Sequence, residues 1–149
     1  MPRQLTAPTR LLLVSVVLAL LLGSLAACSA VPSAPPPGTY TATLVEADLP
    51  SELPDEVRAF LQGTWEMTFG DDHRFQGYKD GDFMVEGRYT STQDQIVFTD
   101  EKGPAADPDI PGTYKWNFDG KTQTLTLTLI DDESLRALVL AAHPLTKQK

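Results

Sequence analysis

The sequence predicts an all-β domain: an antiparallel up-and-down barrel of about eight strands with one short helix. Three observations carry this. From Thr64 onward, apolar and polar residues alternate with a period of two. Asp80-Gly81 and Asp119-Gly120 are tight-hairpin signals, because both turn positions favour positive φ. Most of the segments between strands are short turns, so successive strands are antiparallel neighbours. A meander of that length removes its free edges by closing on itself. Its bore is then either filled by side chains or wide enough for one small ligand.

The elements follow in order. Tyr40 to Glu46, rich in Thr, reads as the first strand. Pro54 with Asp55 and Glu56 suits the first turn of a helix, and Val57, Phe60 and Leu61 give it one apolar stripe before Gly63 ends it. Trp65, Met67 and Phe69 alternate with Thr64, Glu66 and Thr68. Gly70 to Asp72 turns the chain into a strand over Arg74 to Lys79, and Asp80-Gly81 turns it back into Phe83 to Thr90. Gln95 to Thr99 follows a short turn near Gln93 and Asp94. Glu101 to Pro111 is the longest loop. Tyr114, Trp116 and Phe118 share one face of the next strand. Thr122 to Ile130 sets Thr122, Thr124, Thr126 and Thr128 against Leu125, Leu127 and Leu129. Asp131 to Ser134 reads as a solvated turn, and Leu135 to Ala142 as the last strand. The strand before the helix is expected to lie beside this last one and close the barrel.

The first 27 residues have the architecture of a signal peptide. Arg3 and Arg10 form a basic start, Leu11 to Leu22 is almost wholly aliphatic, and Gly23 and Ser24 break the run. The apolar stretch is short of the roughly 20 residues a membrane span needs. Leu25-Ala26-Ala27-Cys28 resembles a bacterial lipobox, which implies that the leader is removed and Cys28 carries lipid. More than one acyl chain makes such an anchor stable, at ~0.8 kcal/mol per buried methylene. The expected place is therefore the extracytoplasmic side of a membrane, and the expected partner is that membrane, through the lipid on Cys28. Residues 28–38 read as a proline-rich tether of ~3 Å per residue, and 39–149 as the barrel domain. Cys28 is the only cysteine, so the exported domain folds without an internal disulfide. Losing Arg3 and Arg10 with the leader leaves ten basic residues against twenty acids, a net charge of −10. Such a domain is a poor partner for nucleic acid, whose phosphates need basic patches.

Gly63-Thr64-Trp65, opening a strand just after a short helix, resembles the lipocalin signature. The segments from Val85 to Tyr89, Ile96 to Asp100 and Gly112 to Trp116 also resemble bacterial lipocalin-like (calycin-type barrel) domains of exported lipoproteins. The resemblance covers roughly Thr39 to Leu145 and implies that an arginine of the last strand lies across the tryptophan. Gly63, Trp65 and Arg136 are thus the expected floor of the barrel. Similar domains often carry two cysteines, in the long loop and before the final strand. Here those places read Ala106-Asp107-Pro108 and Glu133-Ser134-Leu135, so the loop is expected to be more mobile.

Chemistry-bearing sets are sparse. His73 and His143 are the only histidines and neither has a neighbour at metal-ligand spacing. Ser51, Ser91 and Ser134 fall in turns, without a nucleophile elbow. No catalytic residue, metal or cofactor is therefore expected, and the reading is not an enzyme. Glu66, Glu86 and Arg88 stand opposite the aromatics in phase: outside if the aromatics line the bore, a polar site inside if the phase is reversed, with the outward placement favoured. Two functions remain. One is a carrier of a small apolar molecule in a bore lined by Phe69, Tyr89, Phe98, Tyr114 and Trp116. The other is a filled barrel acting through its surface as an envelope interaction or inhibitor protein. The volume of the same side chains decides between them.

Overall fold

A computed structural model describes residues 32–149. The expected leader, Cys28 and the first part of the tether lie outside the described residues. Eight antiparallel strands close in sequential order into a barrel. They are β1 (Gly38–Leu44), β2 (Gly63–Phe69), β3 (Arg74–Lys79), β4 (Asp82–Ser91), β5 (Gln95–Lys102), β6 (Gly112–Asp119), β7 (Thr124–Asp131) and β8 (Leu145–Lys147). Between β1 and β2 run a 3-10 turn (Glu46–Asp48) and the helix α1 (Asp55–Leu61). A second short helix, α2 (Arg136–Leu140), precedes β8. None of these helices is long and apolar enough to cross a membrane.

The closure differs from the sequence expectation in one element. Leu135 to Ala142 is not the last strand but contains α2, and the closing strand is the three-residue β8 beyond Pro144. A continuous run of Leu, Ala and Val has no period to separate strand from helix, and Ala, Leu and Arg favour the helix. β1 does close the barrel, pairing with β2 along its whole length and with β8 through Tyr40↔Lys147 and Thr41↔Thr146. Asp80-Gly81 forms the expected two-residue hairpin, with φ of 52° and 92° and Lys79 paired to Asp82. Asp119-Gly120 does not. Its hairpin is wider, pairing Asp119 with Thr124 around a left-handed Gln123 (φ 56°). Asp119 Oδ1 accepts the Lys121 amide at 2.8 Å and so directs the chain into the longer turn.

The alternation places the core as expected. Inward residues of every strand form one cluster that includes Tyr40, Met67, Phe69, Phe75, Phe98, Tyr114, Leu125 and Leu145. A smaller cluster of Leu44, Leu49, Leu61, Trp65 and Val139 seals the end beneath α1. There the Trp65 indole N–H donates to the Leu61 carbonyl at 2.8 Å, which satisfies an orphan acceptor in the helix's last turn. Gly63 opens β2 at φ 130°. A Cβ at that position would lie 2.9 Å from Asp80 Oδ1, the atom that accepts the Thr64 amide. The residues just before β1 lie at the other end. Pro35 is fully buried, Ala34 packs on the main core, and the Tyr40 hydroxyl donates to the Pro36 carbonyl at 2.5 Å. The proline-rich segment thus joins the barrel's packing from Ala34 onward. Because Trp65 ties α1 to the barrel floor, Trp65→Ala is expected to lower stability by ~3–5 kcal/mol, measured as a shift in the urea unfolding midpoint.

Candidate functional site

All five predicted lining residues point inward: Phe69, Tyr89, Phe98, Tyr114 and Trp116 are buried in the main core. They fill the bore rather than line it. The Phe98 ring meets Phe75 at 5.0 Å, Tyr114 at 5.7 Å and Phe69 at 6.1 Å between centroids, and Phe69 meets Tyr89 at 5.5 Å. Most of these contacts are edge-to-face, the arrangement worth ~0.5–1.5 kcal/mol per pair beyond burial. A small cavity at the floor end of the barrel, bounded by Trp65, Met67, Phe75, Val85 and Arg136 among others, has a volume of about 40 Å³. That is room for about one water, against at least ~300 Å³ for typical ligand sites. A barrel fold is compatible with ligand binding, but these side chains leave no such space in the bore.

Arg136 stands at the floor end with Trp65, since both border that small cavity. It does not lie across the indole. Trp65 meets the Phe60 ring edge-on at 6.2 Å, and the one cation found over a ring among the described residues is Lys147, above Tyr40. Arg136 sits on α2 rather than on a strand, and three oxygens claim its guanidinium. Nε donates to Asp132 Oδ2 at 2.7 Å, one turn back on the chain. Nη1 donates to Glu101 Oε1, and Nη2 to the Ile110 carbonyl at 2.8 Å. Glu101 Oε2 also accepts the Asp107 amide at 3.0 Å. The side chains of Arg136, Glu101 and Asp132 are 9%, 2% and 0% exposed. Gly112 makes the room, since a Cβ there would lie 2.6 Å from Arg136 Nη2.

This clasp holds the long loop at both ends and in its middle, through Glu101, Ile110 and Asp107. The loop expected to be mobile is thus anchored. The clasp also corrects the reading of Asp131 to Ser134 as a solvated turn, because Asp132 is buried and accepts from four donors. The Tyr114 hydroxyl and Arg136 share Oδ2, and the Ser134 amide and hydroxyl share Oδ1, at 2.9 and 2.6 Å. Burial alone would raise the Asp132 carboxyl, but the hydrogen bonds from Arg136, Ser134 and Tyr114 outweigh it and hold it below the usual carboxylate range. Burial first, and then Asp132, push the Tyr114 phenol far above its usual range, so it remains a donor. The i, i+4 spacing of Asp132 and Arg136 was the one signal of this cluster in the sequence. Nothing local pointed to Glu101, which lies 35 residues away.

The remaining predicted positions stay apart. Glu86 and Arg88 are exposed and Glu66 half-buried, all on the outer face, as the favoured phase required. His73 takes a left-handed turn conformation (φ 60°) against Tyr89, and His143 pairs with Asp48 at 2.9 Å on the surface. Among the described residues no three of His, Cys, Asp and Glu are placed to hold a metal ion. The arrangement is a closed, filled, eight-stranded antiparallel barrel, consistent with a lipocalin-like fold. No family model matches the chain, and neither a curated protein nor a solved structure shows significant similarity to it.

Two outcomes follow from the clasp. Arg136→Ala leaves two buried carboxylates without a counter-charge and is expected to destabilise the fold by ~3–5 kcal/mol, whereas an apolar replacement of the whole cluster is expected to cost far less. Chemical denaturation of the two variants measures the difference. The lowered Asp132 carboxyl contributes stability that is fully present above pH ~4 and is lost as pH falls through its folded value. Asp132→Asn should therefore flatten the decline of Tm with acidification below that pH.

Proposed function

We propose that this chain is an exported lipoprotein, anchored through lipid on Cys28 at the extracytoplasmic face of a membrane. Its lipocalin-like barrel is a filled scaffold that acts through its outer surface, as an envelope interaction or inhibitor protein and not as an enzyme. The observation that carries the surface role is the interior: about 40 Å³ of space around Trp65 and Arg136, with five ring–ring contacts closing the remainder. A carrier of apolar molecules needs a cavity the size of its cargo, and opening one here means separating Phe98 from its three ring neighbours. The anchoring role is supported by the apolar leader ending in Leu25-Ala26-Ala27-Cys28 and by the acidic composition beyond it. A surface of that charge is repelled by anionic headgroups, so lipid on Cys28 supplies the attachment.

Native mass spectrometry of the chain from Ser29 onward, which contains the whole barrel, tests the surface reading. A single mass equal to the polypeptide is expected, and a co-purifying apolar molecule would restore the carrier reading. The anchor is tested in a bacterial host by incorporation of labelled palmitate. Label is expected on the wild-type chain and none on Cys28→Ser; label retained by the variant overturns lipidation at that position.

A further inference from the structure

A large concavity among the described residues lies outside the bore. It is a groove of about 730 Å³ across the outer face of β2 to β5, bordered at one end by Pro108 of the long loop. Its volume falls within the ~300–1,000 Å³ of small-molecule sites. The groove follows from local backbone features. Register shifts interrupt the β3–β4 ladder at Gly77/Tyr78 and the β4–β5 ladder between Glu86 and Arg88. Asp100 takes a left-handed conformation (φ 55°) in the same stretch of β5. Bulges of this kind bend a strand and re-aim its side chains. Between Glu86 and Arg88, Gly87 lies so close to Phe75 that a Cβ would come within 2.7 Å of the ring. Beneath the groove the sheet is therefore drawn onto the core.

The charges across this face are arranged unusually. Arg74 on β3 and Arg88 on β4 are direct cross-strand partners, and both are exposed. Side chains opposite each other have Cβ atoms roughly 4.5–5.5 Å apart, and like charges in that relation oppose folding. Arg74 has only one loose ion pair, with Asp72 at 3.5 Å. Arg88 and Lys102, which also line the groove, have no ion pair among the described residues. Thr68 and Gln76 add a hydroxyl and an amide to the same lining. The acids there are Asp72, Glu86, Asp100 and Glu101, of which Glu101 is already held by Arg136. Of the ten basic residues beyond Cys28, three stand around this groove, and they face three acids there once Glu101 is held by Arg136.

The geometry points to an oxyanion-binding site in this groove, with Arg74 and Arg88 as its fork and Lys102 as a third cation. The inference rests on the surface-acting reading and names the chemistry of that surface. Two neighbouring guanidinium groups suit a carboxylate or a phosphate, whose oxygens accept from both. The flanking carboxylates Glu86 and Asp100 disfavour a polyanion and select hydroxyl or amino groups on the remainder of the molecule. The ligand class is a compact polar molecule bearing one carboxylate or one phosphate. No exposed aromatic lines the groove, so stacking contributes nothing to recognition.

The test uses the chain from Ser29 onward, titrated with glucose 6-phosphate, glucuronate and, as the neutral control, glucose. Thermal melts and ¹⁵N NMR spectra are recorded for the wild type, Arg88→Gln and Arg74→Gln/Arg88→Gln. Glucose 6-phosphate or glucuronate is expected to raise the wild-type Tm at millimolar concentrations and to shift the Gly87 amide and the Arg74 and Arg88 side-chain signals, while glucose does neither. Which of the two acts tells phosphate from carboxylate. Arg88→Gln should weaken binding about tenfold, as the loss of a charge-assisted hydrogen bond does. Without ligand, both variants should melt no lower than wild type, because a like-charge pair is relieved. Absence of any anion effect up to about 10 mM, or an equal effect in the double variant, overturns the site. An empty bore together with no anion effect defeats the groove alone. An apolar molecule found in the bore while the anion effect persists defeats the surface-only reading and leaves the groove standing.

Discussion

Phe98 organises the interior. It projects from the middle of β5 into contact with Phe69, Phe75 and Tyr114, which arrive from three other strands. Strand tilt in an eight-stranded barrel leaves a bore about as wide as the side chains that face it. With aromatic residues on β2, β3, β4, β5 and β6 pointing inward, that width is used up. Loss of the Phe98 ring would remove the shared neighbour of three others and open space in the core. The filled bore and a core that holds without a disulfide both follow from this packing.

The clasp around Arg136 solves a different problem. A barrel end must be closed over polar backbone, and the loop from Gly103 to Pro111 is otherwise held by the Ala105 amide on the Met84 carbonyl and by Ala106 against the core. One guanidinium reaches a carboxylate at the loop's start, a carbonyl near its end and a carboxylate on the approach to α2. Burying these charges is costly, and each remains buried only because its partners are complete. The same loop contributes Pro108 to the wall of the outer groove, and Glu101 borders both the groove and the inner cavity. The clasp therefore links the floor of the barrel to the shape of its outer face.

Much of the architecture was legible. A period of two specified six of the eight strands and the Thr-rich composition of Tyr40 to Glu46 a seventh, and alternation placed Trp65, Phe69, Tyr89, Phe98, Tyr114 and Trp116 inward. The failure at Leu135 to Ala142 has a simple cause, because a run that is apolar on every side has no phase to read. Leu129 shows the same limit in another form. It continues the inward set of Leu125 and Leu127, yet it is 45% exposed. β8 pairs with β7 only at Thr124 and Leu125, so the far half of β7 has no neighbour there to bury it.

The sequence by itself determined the strand periodicity, the sharp hairpin at Asp80-Gly81, and the inward and outward faces. These are local properties, set by backbone sterics, turn chemistry and the spacing of apolar residues along the chain. Only the tertiary structure decided that the aromatics fill the bore, that Arg136 belongs to Glu101 and Asp132 rather than to Trp65, and that Arg74 and Arg88 share one groove. Those outcomes depend on the summed volume of side chains from five strands, and on pairings between residues dozens of positions apart. Neither quantity exists until the barrel closes.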